Sequence, residues 1–486
     1  MRLRVALLCL MFILLAVVVS GAAQPEATTA QPAANTILLI GDGMGPEVIE
    51  LAKDYASVIE KRQLWIEKVI SEGNLALVHT PPLGKLVTDS AAAATALATG
   101  QKTVNEAVSV TPQGKALPTI LEMARNRLRS TGIVTTTRLT HATPACFAAH
   151  GVDRDSESNL AEQMLEAGVD VMMGGGMQYW IPGGEVPPET VRLSAAAGAG
   201  AKSEREDNIN LLGRAAEAGY KLVSNQNELL GAGKADRLLG LFAASHLPYA
   251  LDRRLDDAAN VPSLAEMTEK AIEILSKNKG GFFLMVEGGR IDHAAHNNDA
   301  AAMIADMIDF DAAVGVAYAF AKKDPRTVIF ITADHATGAP CLSARYSDEA
   351  GQTIYPDAEF LRKIYRQDAS FEFIMSELAK KPTAEELKRL VSNHIGVQLS
   401  DKEAAFVMKA EPISPFHVTK PKYRKIGYPT FALARLLGTQ YGIAWATAEH
   451  YAAPAVLVGY GAHADLVHGY VENTDVFKIM KTAGGL

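Results

Sequence analysis

Two groups of carboxylates and imidazoles stand at the ends of apolar runs. Asp334 and His335 follow Thr327–Ala333, and Glu287, Asp292, His293 and His296 follow the run that begins at Gly281. Carboxylates with neutral imidazoles suit zinc, and carboxylate with hydroxyl suits magnesium. That chemistry is metal-assisted hydrolysis. Asp42, in Gly41-Asp42-Gly43-Met44-Gly45-Pro46, adds a third carboxylate after the apolar Thr36–Ile40. Ser90 lies in Thr88-Asp89-Ser90 ahead of the alanine run Ala91–Ala94. A serine hydroxyl is a weak nucleophile at neutral pH and metal coordination can activate it. The chain carries no Gly-x-Ser-x-Gly elbow around Ser90, so metal activation is the better candidate. Thr143-Pro144 offers a hydroxyl to a hard cation, and Arg154 has a planar charged fork suited to phosphate oxygens. Singly, each has a blander meaning: Asp42 a cap in a glycine turn, Ser90 an N-cap, Thr143 a turn residue, Arg154 a surface charge.

The elements that would position these groups can be read from the same segments. Thr36–Ile40, Gly132–Val134, Gly168–Gly174, Gly281–Val286 and Thr327–Ala333 read as strands, several ending in glycine turns. The glycines after Ile40 permit a tight turn, and Pro46 suits a first helical turn. The alanine run predicts a helix that starts near Ser90 and ends near Gly100, placing free amides and the positive dipole end at the serine. Helical patterns over Ser263–Lys277 and Asn297–Lys322 alternate with the strands. Such alternation predicts an α/β fold: a doubly wound, mostly parallel central sheet with helices on both faces. In such sheets, ligands bind at the carboxyl ends of the strands, where these residues lie.

Taken together and in order, Gly-Asp42-Gly-Met-Gly, Thr88-Asp89-Ser90 with its alanines, Thr143-Pro144, the Glu287 segment and Asp334-His335 make the chain resemble the alkaline phosphatases. The resemblance runs from about Thr36 to the C-terminus. It implies a phosphomonoesterase in which Ser90 is the nucleophile and is transiently phosphorylated. It implies one zinc held by Asp42, Asp334 and His335, and a second held by Asp292, His296 and the distant His450. It implies a magnesium held by Asp42, Thr143 and Glu287, and a phosphate clamp in Arg154 oriented by Asp89. The best-known bacterial members have Asp and Lys where this chain has His141 and His293, and animal-type members have histidine at both. Imidazoles there would let the third site accept zinc as well as magnesium. The family is often dimeric, which makes a homodimer the default assembly.

The 486 residues, 48% hydrophobic and 21% charged, can bury a large core, and ligands spread from Asp42 to His450 must converge in one folded unit. Residues 36–486 therefore read as one catalytic domain, with an insertion over about 342–447 that folds over the site or toward a partner subunit. That insertion includes Lys420-Pro421-Lys422-Tyr423-Arg424-Lys425. With a formal net charge of −8, this run reads as a solvated face, and no nucleic-acid partner is implied. Ser194–Arg205, rich in Ala and Gly, reads as a surface loop. Arg2 and Arg4, the apolar Val5–Val19 and the small residues to Ala23 predict a signal peptide over 1–23, with 24–35 as a flexible linker. The protein is then exported, periplasmic or secreted; an uncleaved segment would instead tether it to a membrane. Cys146 and Cys341 remain in the mature chain, and a small buried thiol is the commoner explanation for Cys146 than a bond between them. Two other functions fit part of the pattern. A phosphodiesterase or nucleotide pyrophosphatase more often uses threonine as nucleophile, and a catalytically silent phosphate or metal binder would bind without turnover.

Overall fold

The strands Asn35–Gly41, Phe282–Gly288 and Thr327–Thr332 are buried on every residue, which is why they show no apolar–polar alternation. In the computed structural model, which describes residues 31–184, 202–255, 260–348, 350–418 and 420–486, they belong to one ten-stranded sheet. Its strands are β1 (Asn35–Gly41), β2 (Asn74–His79), β3 (Ser130–Arg138), β4 (Val171–Gly175), β5 (Lys221–Val223), β6 (Leu238–Leu241), β7 (Phe282–Gly288), β8 (Thr327–Thr332), β9 (Ala455–Gly461) and β10 (Gly469–Glu472). They lie in the order β10-β2-β9-β8-β1-β7-β3-β4-β6-β5. All neighbours are parallel except β9, which runs antiparallel to both β2 and β8. The sheet is thus mixed, mostly parallel and flanked by helices, as the α/β reading expected.

Register explains the convergence. Glu287 of β7 lies opposite Ile40 of β1 and Thr135 of β3, and Ile40 lies opposite Thr332 of β8. The carboxyl ends of β8, β1, β7 and β3 are therefore level, and the turns that leave them meet above one edge. The alternating helical patterns appear as Leu264–Leu275 and Ala300–Lys323. The predicted signal peptide lies outside the described residues, as do residues 24–30 of the linker and residues 185–201, which take in most of the Ala/Gly loop. The fold starts slightly before Thr36: Ala33 is buried and its N–H donates to the Ala483 carbonyl at 2.7 Å, and Asn35 already belongs to β1. Residues 32–486 form one compact unit.

The segment between Cys341 and Trp445 is pinched at its base, where Pro340–Leu342 pairs antiparallel with Ile443–Trp445. Within it, the helices Ala358–Tyr365, Phe371–Lys380, Ala384–Ile395, Asp401–Met408 and Arg424–Tyr441 pack on one another. Asp299, which caps the helix Ala300–Lys323, anchors the segment by accepting from the Phe371 N–H and the Gln367 amide. Among the described residues no helix is long and apolar enough to cross a membrane. Cys146 is buried and Cys341 exposed, and both are free thiols.

Candidate active site and metal centres

Ser90 is the first residue of the helix Ser90–Thr99, and Gly100 ends that helix in the left-handed conformation. The cap is Asp89 rather than Ser90. A carboxylate is the stronger acceptor for a helix N–H, and Asp89 Oδ1 accepts from Ala92 N at 2.9 Å. Its Oδ2 accepts from the Glu106 N–H at 3.0 Å and from Arg154 Nη1 at 3.1 Å. Asp89 therefore joins the serine helix to the arginine, and it leaves the Ser90 hydroxyl free to face His335 Nε2 at 3.2 Å. Ser90 itself is buried.

Asp42 leaves β1 on a turn in which Gly43 has φ 68°. The Gly43 N–H donates to Asp334 Oδ1 at 3.2 Å, so this turn holds two of the expected ligands together. His335 Nε2 lies 3.1 Å from Asp334 Oδ2 and 3.6 Å from Asp42 Oδ1. A Cβ on Gly43 would stand 2.8 Å from Asp292 Oδ1 and 2.9 Å from Thr337 Oγ1, in a backbone conformation that L residues resist. Gly43→Ala should therefore cut phosphatase turnover by roughly an order of magnitude or more through displacement of Asp292. Unchanged kinetics in that variant would show that the turn tolerates the shift.

Asp292 and His296 project from one helix, Arg290–His296, four residues apart. His450 reaches them because His450–Tyr451 pairs antiparallel with Ala336–Thr337, directly after Asp334-His335. His296 Nδ1 donates to the Ala448 carbonyl at 2.6 Å, and His450 Nδ1 donates to the Thr88 carbonyl at 2.9 Å. With both Nδ1 atoms committed as donors, the two Nε2 atoms face each other at 3.1 Å, beside Asp292 at 3.3 and 3.7 Å. With both Nε2 atoms deprotonated, two imidazole nitrogens and a carboxylate so placed could hold a cation. A third group is made by Asp42, Glu287 and His141, with Thr143 Oγ1 3.4 Å from Asp42 Oδ2. Glu287 Oε2 accepts from Thr135 and Thr137.

Four of the buried side-chain atoms without hydrogen-bond partners among the described residues lie in these groups: Asp42 Oδ1, Asp334 Oδ2, Glu287 Oε1 and His141 Nδ1. Buried polar atoms are rarely left unpaired, so the donor set fits divalent cations. The protonation equilibria agree. Burial, then the neighbouring Asp334, Asp292 and Glu287, push the Asp42 carboxyl well above its usual range. Burial and then Asp292 push Asp334 up to about 8, and burial pushes Glu287 up to about 7. Burial opposes charge on His296, but Asp292 overcomes it and raises that imidazole to about 9, whereas burial lowers His450 to about 4.

Between about pH 6.5 and 9 the metal-free fold should therefore lose stability. The unfolded Asp334 carboxyl is already ionised there while the folded one still binds a proton up to about 8, and the stabilisation from protonated His296 disappears as pH passes about 9. We predict a melting temperature of the metal-free protein that falls across that interval, and a larger stabilisation by added zinc and magnesium at pH 9 than at pH 6.5. A flat melting profile would contradict it.

All eleven residues expected from the sequence thus line one edge of the sheet. Sequence reasoning passed over the groups behind them. The Thr135-Thr136-Thr137 run at the end of β3 was a signal that could have been used. Thr337, whose hydroxyl donates to Asp292 at 2.6 Å, was a weaker one. His246, Arg138 and Arg290 carried no motif. At the rim, Lys420 Nζ is exposed and 4.0 Å from Glu106 Oε1.

A family model described as alkaline phosphatase matches residues 33–486. The chain belongs to the alkaline phosphatase family. It is 31% identical to alkaline phosphatase 4 of Bacillus subtilis, over 92% of this chain and 89% of that one. It is 36% identical to the alkaline phosphatase of Escherichia coli, over 70% of this chain and 75% of the relative. Its fold matches the crystal structure of Thermus thermophilus alkaline phosphatase with a TM-score of 0.82 at 33% identity, covering 94% of this chain and 92% of that structure. An enzyme of this family is a metal-dependent phosphatase, and among the described residues Asp42–Asp334–His335, Asp42–His141–Glu287 and Asp292–His335–His450 are groups that could hold a metal ion.

Proposed function

We propose that this alkaline phosphatase hydrolyses phosphate monoesters through a phosphoserine at Ser90, and that it works with two zinc ions and one magnesium. The observation that carries this reading is the placement of the Ser90 hydroxyl, 3.2 Å from His335, between a carboxylate–imidazole cluster with unpaired ligand atoms and an arginine fixed by Asp89. Asp42, Asp334 and His335 would hold one zinc; Asp292, His296 and His450 the other; Asp42, Thr143 and Glu287 the magnesium, with His141 near enough to make that third site accept zinc. Bound there, the cations would supply Lewis-acid stabilisation of the attacking and leaving oxygens of an in-line displacement.

The protein groups set up the two half-reactions. The Arg154 fork binds two non-bridging oxygens of the substrate phosphoryl, held in place by Asp89. The free amides at the start of helix Ser90–Thr99 favour the same negative charge. Ser90 Oγ forms a bond to phosphorus as its proton is lost, the phosphorus–ester oxygen bond breaks, and the alcohol leaves after gaining a proton. Water then attacks the phosphoserine, the bond from phosphorus to Oγ breaks, and inorganic phosphate is released with the Ser90 hydroxyl restored. The contacts are all to the phosphoryl end, which favours broad monoester specificity. Export through residues 1–23 completes the proposal, and N-terminal sequencing of the secreted protein checks it.

The test is hydrolysis of p-nitrophenyl phosphate at alkaline pH, before and after chelation and with metals added back. Loss on chelation and recovery with zinc, further raised by magnesium, is expected. Monoester turnover that survives complete removal of metal would overturn the metal assignment.

A further inference from the structure

We propose that His246, gripped by Arg138 and backed by Glu157, is a positioning residue for the third metal group, holding the turn that presents His141 and the ring of His293. The proposal rests on the three-site reading above and adds residues that the reading does not contain. Around the Asp42–Glu287–His141 group, three imidazoles each meet an arginine. Arg154 Nη2 is 3.1 Å from His141 Nε2, Arg290 Nη1 is 2.9 Å from His293 Nδ1, and Arg138 Nη1 is 2.5 Å from His246 Nε2. Each arginine is anchored in turn by a carboxylate: Arg154 by Asp89, Arg290 by Glu372 at 2.9 Å, and Arg138 by Glu157 through two bonds of 2.6 and 2.8 Å. A fork held by two bonds has little freedom, so it fixes what its third nitrogen touches.

Of the three histidines only His141 belongs to a ligand group, and His246 packs against both of the other rings. Its ring packs edge-on against His293 at 4.3 Å and against His141 at 5.5 Å between centroids. Its Nδ1 meets the backbone N–H of Arg138 at 3.2 Å, and the Arg138 carbonyl accepts the His141 N–H at 3.0 Å. A neutral imidazole has one acceptor nitrogen, so it accepts from the backbone at Nδ1 or from the guanidinium at Nε2, and either bond holds the ring to the end of β3. Glu157 ties the same turn a second time, because its Oε2 accepts from the Thr140 hydroxyl at 2.6 Å. Glu157 also opens the helix Glu157–Glu166, which comes directly after the loop carrying Arg154. The chain Glu157–Arg138–His246 thus sets the relative placement of His141, His293 and Arg154 from behind. Groups that orient metal ligands in this way typically change metal affinity about 10–100-fold when removed.

The experiment measures zinc and magnesium content by mass spectrometry after equilibrium dialysis of the full chain against buffered metal. His246→Leu fills the space without an acceptor, and His246→Gln keeps one. The expected result is a third site weakened roughly 10–100-fold in His246→Leu, with its zinc content as in the unaltered protein, and substantial recovery in His246→Gln. A Leu variant within about twofold of the unaltered protein at the third site, or equal losses in Leu and Gln, would overturn the proposal, since mere space-filling does not distinguish an acceptor. Parallel loss of every metal would overturn it too, as general unfolding. Should His246→Leu not fold, Glu157→Gln, which keeps its shape but loses the charge holding Arg138, is expected to weaken the same site alone, and unaltered third-site binding there would refute the chain. If instead the unaltered protein bound no metal, the underlying three-site reading would fail, which is a separate outcome.

Discussion

Ser90→Ala is expected to lower monoester turnover by about 10³-fold or more while leaving metal content close to that of the unaltered protein. The reasoning is geometric. In the proposed mechanism Ser90 Oγ is the nucleophile, and it lies 3.2 Å from His335 Nε2, but it is a member of none of the three ligand groups. The helix it begins is capped by Asp89, so removing the hydroxyl costs neither the cap nor the free amides behind the phosphate. The proposed phosphate clamp should also survive, because Arg154 is held by Asp89. Substrate should still bind, and the loss should appear in kcat. A variant that kept most of its steady-state rate would show that the serine is not the nucleophile.

Asp334→Asn should have an effect of similar size by the opposite route, with metal lost first. Asp334 bonds the Gly43 N–H and the His335 N–H through Oδ1 and leaves Oδ2 buried without a partner. An amide can still accept those two N–H groups, so the turns should survive, but it removes a formal charge from the oxygen that faces the ligand group. Affinity for a divalent ion depends steeply on that charge. Zinc content should fall, and activity should return only at high added zinc, if at all. Replacing His450 should also release zinc, without disturbing the Asp42–Asp334 turn. Full zinc retention in both variants would refute the ligand assignment.

The sequence made the strand-end carboxylates legible because each is announced locally. Asp42 stands in a glycine turn after an apolar run, Asp334-His335 ends another, and Glu287 closes a third. The α/β class followed from the alternation of those runs with helical patterns. Other features were not local. The N-cap came out one residue early, at Asp89, because helix propensity alone does not say which of two adjacent acceptors bonds the Ala92 N–H. His450 could be linked to Asp292 only through the family resemblance, since its approach depends on a two-residue pairing with Thr337. His246 could not be read at all. It reaches His141 and His293 from beyond β6, through a sheet order in which β4 and β6 lie on the far side of β3.

The most direct measurement is an acid quench during turnover of p-nitrophenyl phosphate by the metal-loaded protein, with phosphopeptide mapping of the quenched sample. Phosphate is expected on the peptide that contains Ser90 and on no other. Turnover with no trapped phosphate at any pH, or phosphate on a different residue, would contradict the covalent mechanism.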